Sequence, residues 1–460
     1  MVQKIKTAII GTGTAGLNAY RAVKSLGKTI LIEGGRYGTT CARVGCMPSK
    51  LLIAAADAAH HAEIAPQFGV HPKNIAIDGA QVMDRVKRER DRFVGFVLES
   101  VDNIPSEDKL VGSAEFIAPM TLKVGDQILE AERIIIATGS RTVYPEYLKP
   151  VMARVISNEE VFYWNDLPKS LLVIGTGVIG LELAQALHRL GVRVTVMGRG
   201  GRIGIFSDPV LRQYTAEHLE KTMDFVANGK LKDLRIEGDQ VLGLISRNGS
   251  EFQEDSWDYI LCAAGRVANL DSLNLAASGL GLDKQGQPHF SRQTLQCGSQ
   301  PVFLAGDVTN ELQLLHEAAD EGRHAGLNAL HYPNLSEIKR RSPLNIAFTD
   351  PQMVVSGQAY SELVPESFAT GRVSFENQGR SRIMLVNHGL MHVYGDKESH
   401  RFLGAEIYGP QAEHLGHLLS WSHQMKLTIP EMLAMPFYHP VIEEGLRTAL
   451  KDLESKLQLI

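Results

Sequence analysis

TAIIGTGTAGLNAYRAVKSLGKTILIEGG, residues 7–35, decides the fold. A short apolar run, Ala8 to Ile10, meets Gly11, Gly13 and Gly16. A helical pattern follows, and a second strand, Thr29 to Ile32, ends in Glu33. Glycines spaced G-x-G-x-x-G between a strand and a helix permit a tight turn and let the backbone approach a pyrophosphate at the helix N-terminus. An acid about twenty residues further on accepts hydrogen bonds from a ribose. The stretch predicts a dinucleotide-binding βαβ unit.

The unit recurs. SLLVIGTGVIGLELAQALHRLGVRVTVMGR, residues 170–199, supplies Gly175, Gly177 and Gly180 between two strands. One such motif is weak evidence, because glycine turns are common. Two copies, each between strands, are strong. Each also closes alike: ERIIIATGS (132–140) and DYILCAAGR (258–266) are an acid, an apolar strand, then Ala-x-Gly. The copies differ at the acid. The first has Glu33. The second has Met197-Gly198-Arg199 with Arg202 nearby, and arginine there suits a 2′-phosphate, which points to NADP(H) over NAD(H).

The rest of the chain sets bounds. Its 460 residues allow two to four domains, and 44% apolar with 22% charged residues describe an ordinary globular protein. A net charge of −5 offers no basic footprint for nucleic acid and no polybasic stretch for a membrane. Four cysteines form no disulfide framework, which argues for a reducing compartment. The first apolar run is about four residues, too short for a signal peptide, and no run approaches the ~20 residues that span a bilayer. A soluble cytoplasmic protein is expected.

CARVGC, residues 41–46, lies in the roughly forty residues by which the first copy exceeds the second. In an ideal helix the two cysteine Cα atoms would be about 8.6 Å apart, beyond the ~7 Å that a bridge tolerates. A disulfide therefore needs a distorted first turn, for which Gly45 and Pro48 are suited, and a small local bridge of that kind is reducible. Metal binding lacks partners: Cys262 lies in the second closing strand, Cys297 is isolated, and no C-x-x-C or histidine-rich knuckle is present. A redox pair, two inert thiols and a metal site remain, in that order.

CARVGCMPSK behind a G-x-G-x-x-G domain resembles the flavin-dependent pyridine nucleotide–disulfide oxidoreductases, the class of dihydrolipoamide dehydrogenase and glutathione reductase. PVFLAGDVT (301–309) resembles the family's second FAD motif, FTDPQMVVSG (348–357) the start of its dimerisation domain, and HPVIEE near the end its His-Pro…Glu motif. The resemblance implies FAD and NAD(P) as cofactors, with Cys46 facing the flavin and Cys41 exchanging with substrate. It makes His439 the acid/base, Glu444 the residue that orients it, and Lys50 with Glu182 an ion pair beside the flavin. It also implies FAD contacts at Gly11, Gly13, Gly16, Glu33, Gly38, Thr40, Lys50, Ala114, Thr138, Gly139 and Asp307. Nucleotide contacts are implied at Gly175, Gly177, Gly180, Arg199 and Gly265.

Several positions depart from the family pattern. Thr39 replaces a glycine before the first cysteine and Arg43 the usual asparagine between the pair. Val441 and Glu443 replace a threonine and a serine, and Phe437-Tyr438 precede His439. Arg43, Phe437 and Tyr438 would lie near the substrate mouth and bear on which disulfide is used. ESKLQLI at the end carries no cysteine pair, a poor match to mercuric reductases and high-molecular-weight thioredoxin reductases. PSK after the second cysteine favours the dihydrolipoamide dehydrogenase branch, whereas the arginines of the second site pull towards the reductase branch.

The expectation is an α/β chain with two Rossmann-like dinucleotide-binding domains and a C-terminal α+β dimerisation domain. The FAD domain covers 1–146 and 268–338, the NAD(P) domain 147–267 and the interface domain 339–460. The expected activity passes electrons between NAD(P)(H), FAD, the Cys41–Cys46 pair and a dithiol or disulfide, with dihydrolipoamide or a lipoyl domain first. A homodimer with shared active sites, no metal and no nucleic-acid or membrane partner complete it. The alternatives are an NADPH-dependent reductase of another disulfide and a disulfide-independent flavin reductase acting on quinones or dyes. The mixed-sign run DRVKRERDR (84–92) reads as an exposed helix.

Overall fold

The computed structural model describes residues 2–458. The chain divides into two compact units, one of residues up to 51, 84–143 and 265–339, the other of 52–83, 144–264 and 340 onward.

In the first unit β1 (Val2–Ile10), α1 (Thr14–Val23) and β2 (Thr29–Glu33) form the predicted βαβ. β1 pairs in parallel with β2, Ala8 opposite Ile30, and on its other side with β6 (Gln127–Ile136), Ile10 opposite Ile136. β3 (Lys109–Val111) flanks β2, and the strand Val302–Leu304 flanks β6, both in parallel. Within these strands, residues 8–10, 29–32, 134–136 and 302–304 are almost wholly apolar because they are buried on both faces. Between β3 and β6 the chain makes an antiparallel meander of β4 (Ala114–Ala118) and β5 (Thr121–Val124).

The second unit repeats this plan. Its parallel strands run Asp224–Val226, Arg193–Met197, Ser170–Ile174, Tyr259–Cys262 and Val155–Ile156 across the sheet, the same third-second-first-closing order. Its antiparallel meander, Gly229–Glu237 to Gln253–Trp257, again lies between third and closing strands. The C-terminal part of this unit is a five-stranded antiparallel sheet packed on the helices Ala412–Gln424 and Glu444–Lys456 around Val393, Ile407, Leu415 and Leu450.

The insertion after β2 folds as three helices: α2 (Thr40–Val44), α3 (Cys46–Ile64) and α4 (Gly79–Asp102). The charged run 84–92 is on α4 as expected, but it is not wholly solvated: Arg90 is buried and pairs with Asp91 at 2.7 Å.

Candidate active site

The two glycine turns have the same steric anatomy. A Cβ on Gly11 would lie 2.3 Å from the Ala137 carbonyl oxygen, and one on Gly16 would lie 1.9 Å from the Gly11 oxygen. Gly175 and Gly180 meet the Ala263 and Gly175 carbonyls at 2.2 Å in the same way. Gly11 and Gly175 also have φ of +109° and +115°, which side-chain-bearing residues resist. The middle glycines, Gly13 and Gly177, have nothing within 4 Å of their Cβ direction. Each is the N-cap of the following helix and gives it no side-chain cap. Open space over uncapped backbone N–H groups is what a pyrophosphate requires.

Glu33 closes the first turn, its carboxylate accepting from the Thr12 N–H at 3.2 Å, the Thr12 hydroxyl and the Gly35 N–H at 2.7 Å. Asp307 accepts from the Ser140 hydroxyl at 3.0 Å, and Arg266 donates to Ser140 Oγ at 2.8 Å and to its carbonyl at 2.7 Å. Thr12, Ser140 and Arg266 are missing from the sequence reading; Ser140 and Arg266 both follow an Ala-x-Gly, and that repetition was the available signal. The Thr138 hydroxyl is buried with no hydrogen-bond partner among the described residues, and Gly139 (φ +71°) and Gly265 (φ +133°) are sterically open. Thr40 is exposed at the start of α2, while Ala114 is buried at the start of β4. These residues fit FAD in the first turn and a pyridine nucleotide in the second.

The cysteines sit on either side of a helix break. Gly45 leaves helical geometry between α2 and α3, and a Cβ there would lie 3.0 Å from Cys41 Cα and 3.1 Å from the Thr40 carbonyl. The close approach turns the chain so that the thiols of Cys41 and Cys46 are within hydrogen-bonding reach of each other, Cys41 half-buried and Cys46 exposed. The predicted distortion is thus at Gly45, with Pro48 accommodated inside the first turn of α3. The hydrogen bond and charge of Cys46, together with burial, hold the Cys41 thiol above its ordinary range, and Lys50 pulls it down only weakly. Thr39, the departure from glycine, caps α2 by accepting from the Ala42 N–H at 3.3 Å. Arg43 lays its stem against Gly38 (φ +94°), its Cδ 3.6 Å from where a Cβ would stand, and its Nε is buried without a partner among the described residues.

In the second unit His439 Nδ1 is 2.9 Å from Glu444 Oε1, and the Val441 N–H donates to the other carboxylate oxygen at 3.1 Å. The hydrogen bond from His439 and that from Val441 lower the Glu444 carboxyl. Val441 therefore serves through its backbone N–H, which a valine supplies as well as a threonine does. His439 and Tyr438 side chains are exposed, whereas Phe437 packs on the C-terminal core. Glu182, buried on the helix Val178–Arg189, accepts from the Phe348 N–H at 2.8 Å. Lys50 belongs to the first unit, its Nζ 3.5 Å from Ser49 Oγ. Arg199 follows the buried Met197, and its backbone bridges Asn228.

A family profile described as Pyridine nucleotide-disulphide oxidoreductase matches residues 5–322, and one for the dimerisation domain of the same family matches residues 344–450. A dihydrolipoyl dehydrogenase of Thermus scotoductus is 30% identical, covering 97% of both chains. A mercuric reductase of Staphylococcus aureus is 28% identical over 96% of this chain and 81% of its own length. Among solved structures, the HOCl-induced flavoprotein disulfide reductase RclA of Escherichia coli superposes with a TM-score of 0.82 over the full length of both chains at 23% identity. LpdA of Mycobacterium tuberculosis does so at 0.81 and 22%, over 98% of this chain and all of its own. At those identities the structures speak for the fold alone.

Proposed function

Because the chain belongs to the pyridine nucleotide–disulphide oxidoreductase family, we propose that it oxidises or reduces a small dithiol/disulfide, dihydrolipoamide first, through Cys41 and Cys46. The observation that carries this reading is the contact of the two thiols across the Gly45 break, where one exposed and one sheltered sulfur can close to a disulfide. Thiol–disulfide exchange then moves two electrons through a mixed disulfide with the substrate. With Nδ1 held by Glu444, the other imidazole nitrogen of His439 is the one that takes a proton from the attacking thiol and returns it to the leaving thiolate. FAD, when bound, supplies the two-electron link to the pyridine nucleotide. Cys46 faces it and Lys50 with Glu182 flank it in this reading, over an FAD domain at 1–146 and 268–338.

The pyridine nucleotide is NADP(H), on Arg199 and Arg202 and the absence of a carboxylate in Met197-Gly198-Arg199. The protein acts as a homodimer in which His439 of one subunit serves the cysteines of the other. Anaerobic mixing of the yellow protein with dihydrolipoamide, followed by alkylation and peptide mapping, tests it. Two new labelled thiols at Cys41 and Cys46 with a long-wavelength thiolate–flavin band are expected from the first equivalent, and bleaching of the oxidised flavin band from a second. If dihydrolipoamide does nothing while NADPH exposes the same two thiols, dihydrolipoamide is the wrong substrate and another disulfide takes its place.

A further inference from the structure

We infer that Thr176 is a positioning residue for coenzyme choice, clipping the Arg199–Arg202 loop to the glycine turn so that both guanidiniums are held for a 2′-phosphate. The inference rests on the NADP(H) reading above.

Both glycine motifs read G-T-G, and the threonine has a different task in each. In the first copy the Thr12 hydroxyl and N–H donate to Glu33, the carboxylate suited to a free ribose hydroxyl. In the second the Thr176 hydroxyl donates to the Arg202 carbonyl, and the Thr176 carbonyl accepts from the Gly204 N–H at 2.7 Å. One motif position thus anchors whichever element stands where the ribose would be read. The strand register matches Met197 to Ile32 and Gly198 to Glu33, so a glycine facing Thr176 stands at the acid position, and residues 197–204 contain no carboxylate to repel a phosphate.

The far end of the loop is fixed as well. Gly198 donates to the Val226 carbonyl and accepts from the Gly229 N–H, both at 2.8 Å, and Arg199 bridges Asn228. Ile203 and Phe206 are buried just beyond it. Between the anchors lie Gly200 and Gly201, at φ +156° and +76°, and the exposed side chains of Arg199 and Arg202. Two adjacent glycines would otherwise leave the arginines free to wander, and ordering them on binding would cost affinity. A loop whose backbone is pinned at both ends is already ordered, so less is lost when its two forked cations close on a phosphate.

The test is calorimetric binding of 2′,5′-ADP and 5′-AMP to the holoenzyme, with steady-state kinetics in NADPH and NADH, for wild type, Thr176→Val and Thr176→Ser. Thr176→Val should weaken 2′,5′-ADP about tenfold and raise the KM for NADPH in proportion with kcat kept, while 5′-AMP and NADH are unmoved. Thr176→Ser, which keeps the hydroxyl, should restore the wild-type values. Equal weakening of both ligands would mean a damaged glycine turn and would overturn the inference, as would no change in either. A wild type that binds 5′-AMP as tightly as 2′,5′-ADP overturns the NADP(H) reading itself, whatever the variants do.

Discussion

The four cysteines show how differently one residue type is used, and only part of this was legible in advance. Their spacing marked Cys41 and Cys46 as a pair and left Cys262 and Cys297 alone, because motif distance is a property of sequence. What the spacing could not reveal is that Gly45 folds back onto the Cys41 backbone, since that contact depends on where the helix breaks. Protonation follows environment. Cys297 is pushed up to about 12 by burial, and burial also raises Cys262. Cys41 is held up by its neighbour Cys46 and by burial, while Cys46 is exposed. Iodoacetamide at pH 8 should therefore label the reduced apoprotein, in which no flavin covers Cys46, at Cys46 first, Cys41 more slowly, and neither of the others on that timescale. Peptide mapping over time checks the order, and early labelling of Cys297 would contradict it.

At the scale of elements the glycine turns were the most legible feature, because their chemistry is local: strand, turn and helix are contiguous. The antiparallel meanders after each third strand went unread, since their pairing depends on register between separate segments. The structure adds a division of labour inside each motif that spacing alone cannot supply. Gly11 is required by backbone packing, with φ +109° and a carbonyl 2.3 Å from its Cβ direction, whereas Gly13 faces open space. Gly11→Ala should cost about 2–4 kcal/mol of stability and lower the melting temperature of the apoprotein. Gly13→Ala should leave apoprotein melting within a degree or two of wild type but abolish retention of FAD through purification. Calorimetry of the two apoproteins and flavin content of the two holoproteins separate the roles. Equal loss of stability in both variants would mean that the middle glycine is structural too.

For the whole molecule, the order of two nucleotide units followed by a dimerisation domain was legible because each announces itself by a motif. The ties inside the second unit were not. Asp208 accepts from His392 at 2.6 Å and from the Tyr394 hydroxyl at 3.0 Å, and Glu406 takes the Ser207 and Asp208 N–H groups at 3.0 and 2.9 Å, all between residues far apart in sequence. One surface of the dimerisation domain is equally silent in sequence. On the helix Ala412–Gln424, within the family's dimerisation domain, Leu415 and Leu419 face the core, while Leu418 and Trp421, with Met425 just beyond, stand exposed, Trp421 at 63% and Met425 at 71%. An exposed Leu-Trp-Met stripe has the composition of an interface centre, and the dimerisation domain names its occupant as a second copy of this chain. Trp421→Glu places a charge there that burial would leave unpaired, so it should convert the dimer to monomer in sedimentation. If His439 acts across the interface, that monomer should keep its FAD and still pass electrons from NADPH to a dye, yet lose dihydrolipoamide turnover by at least a hundredfold. A monomer with full disulfide activity would instead place His439 and the cysteines of one chain in the same active site.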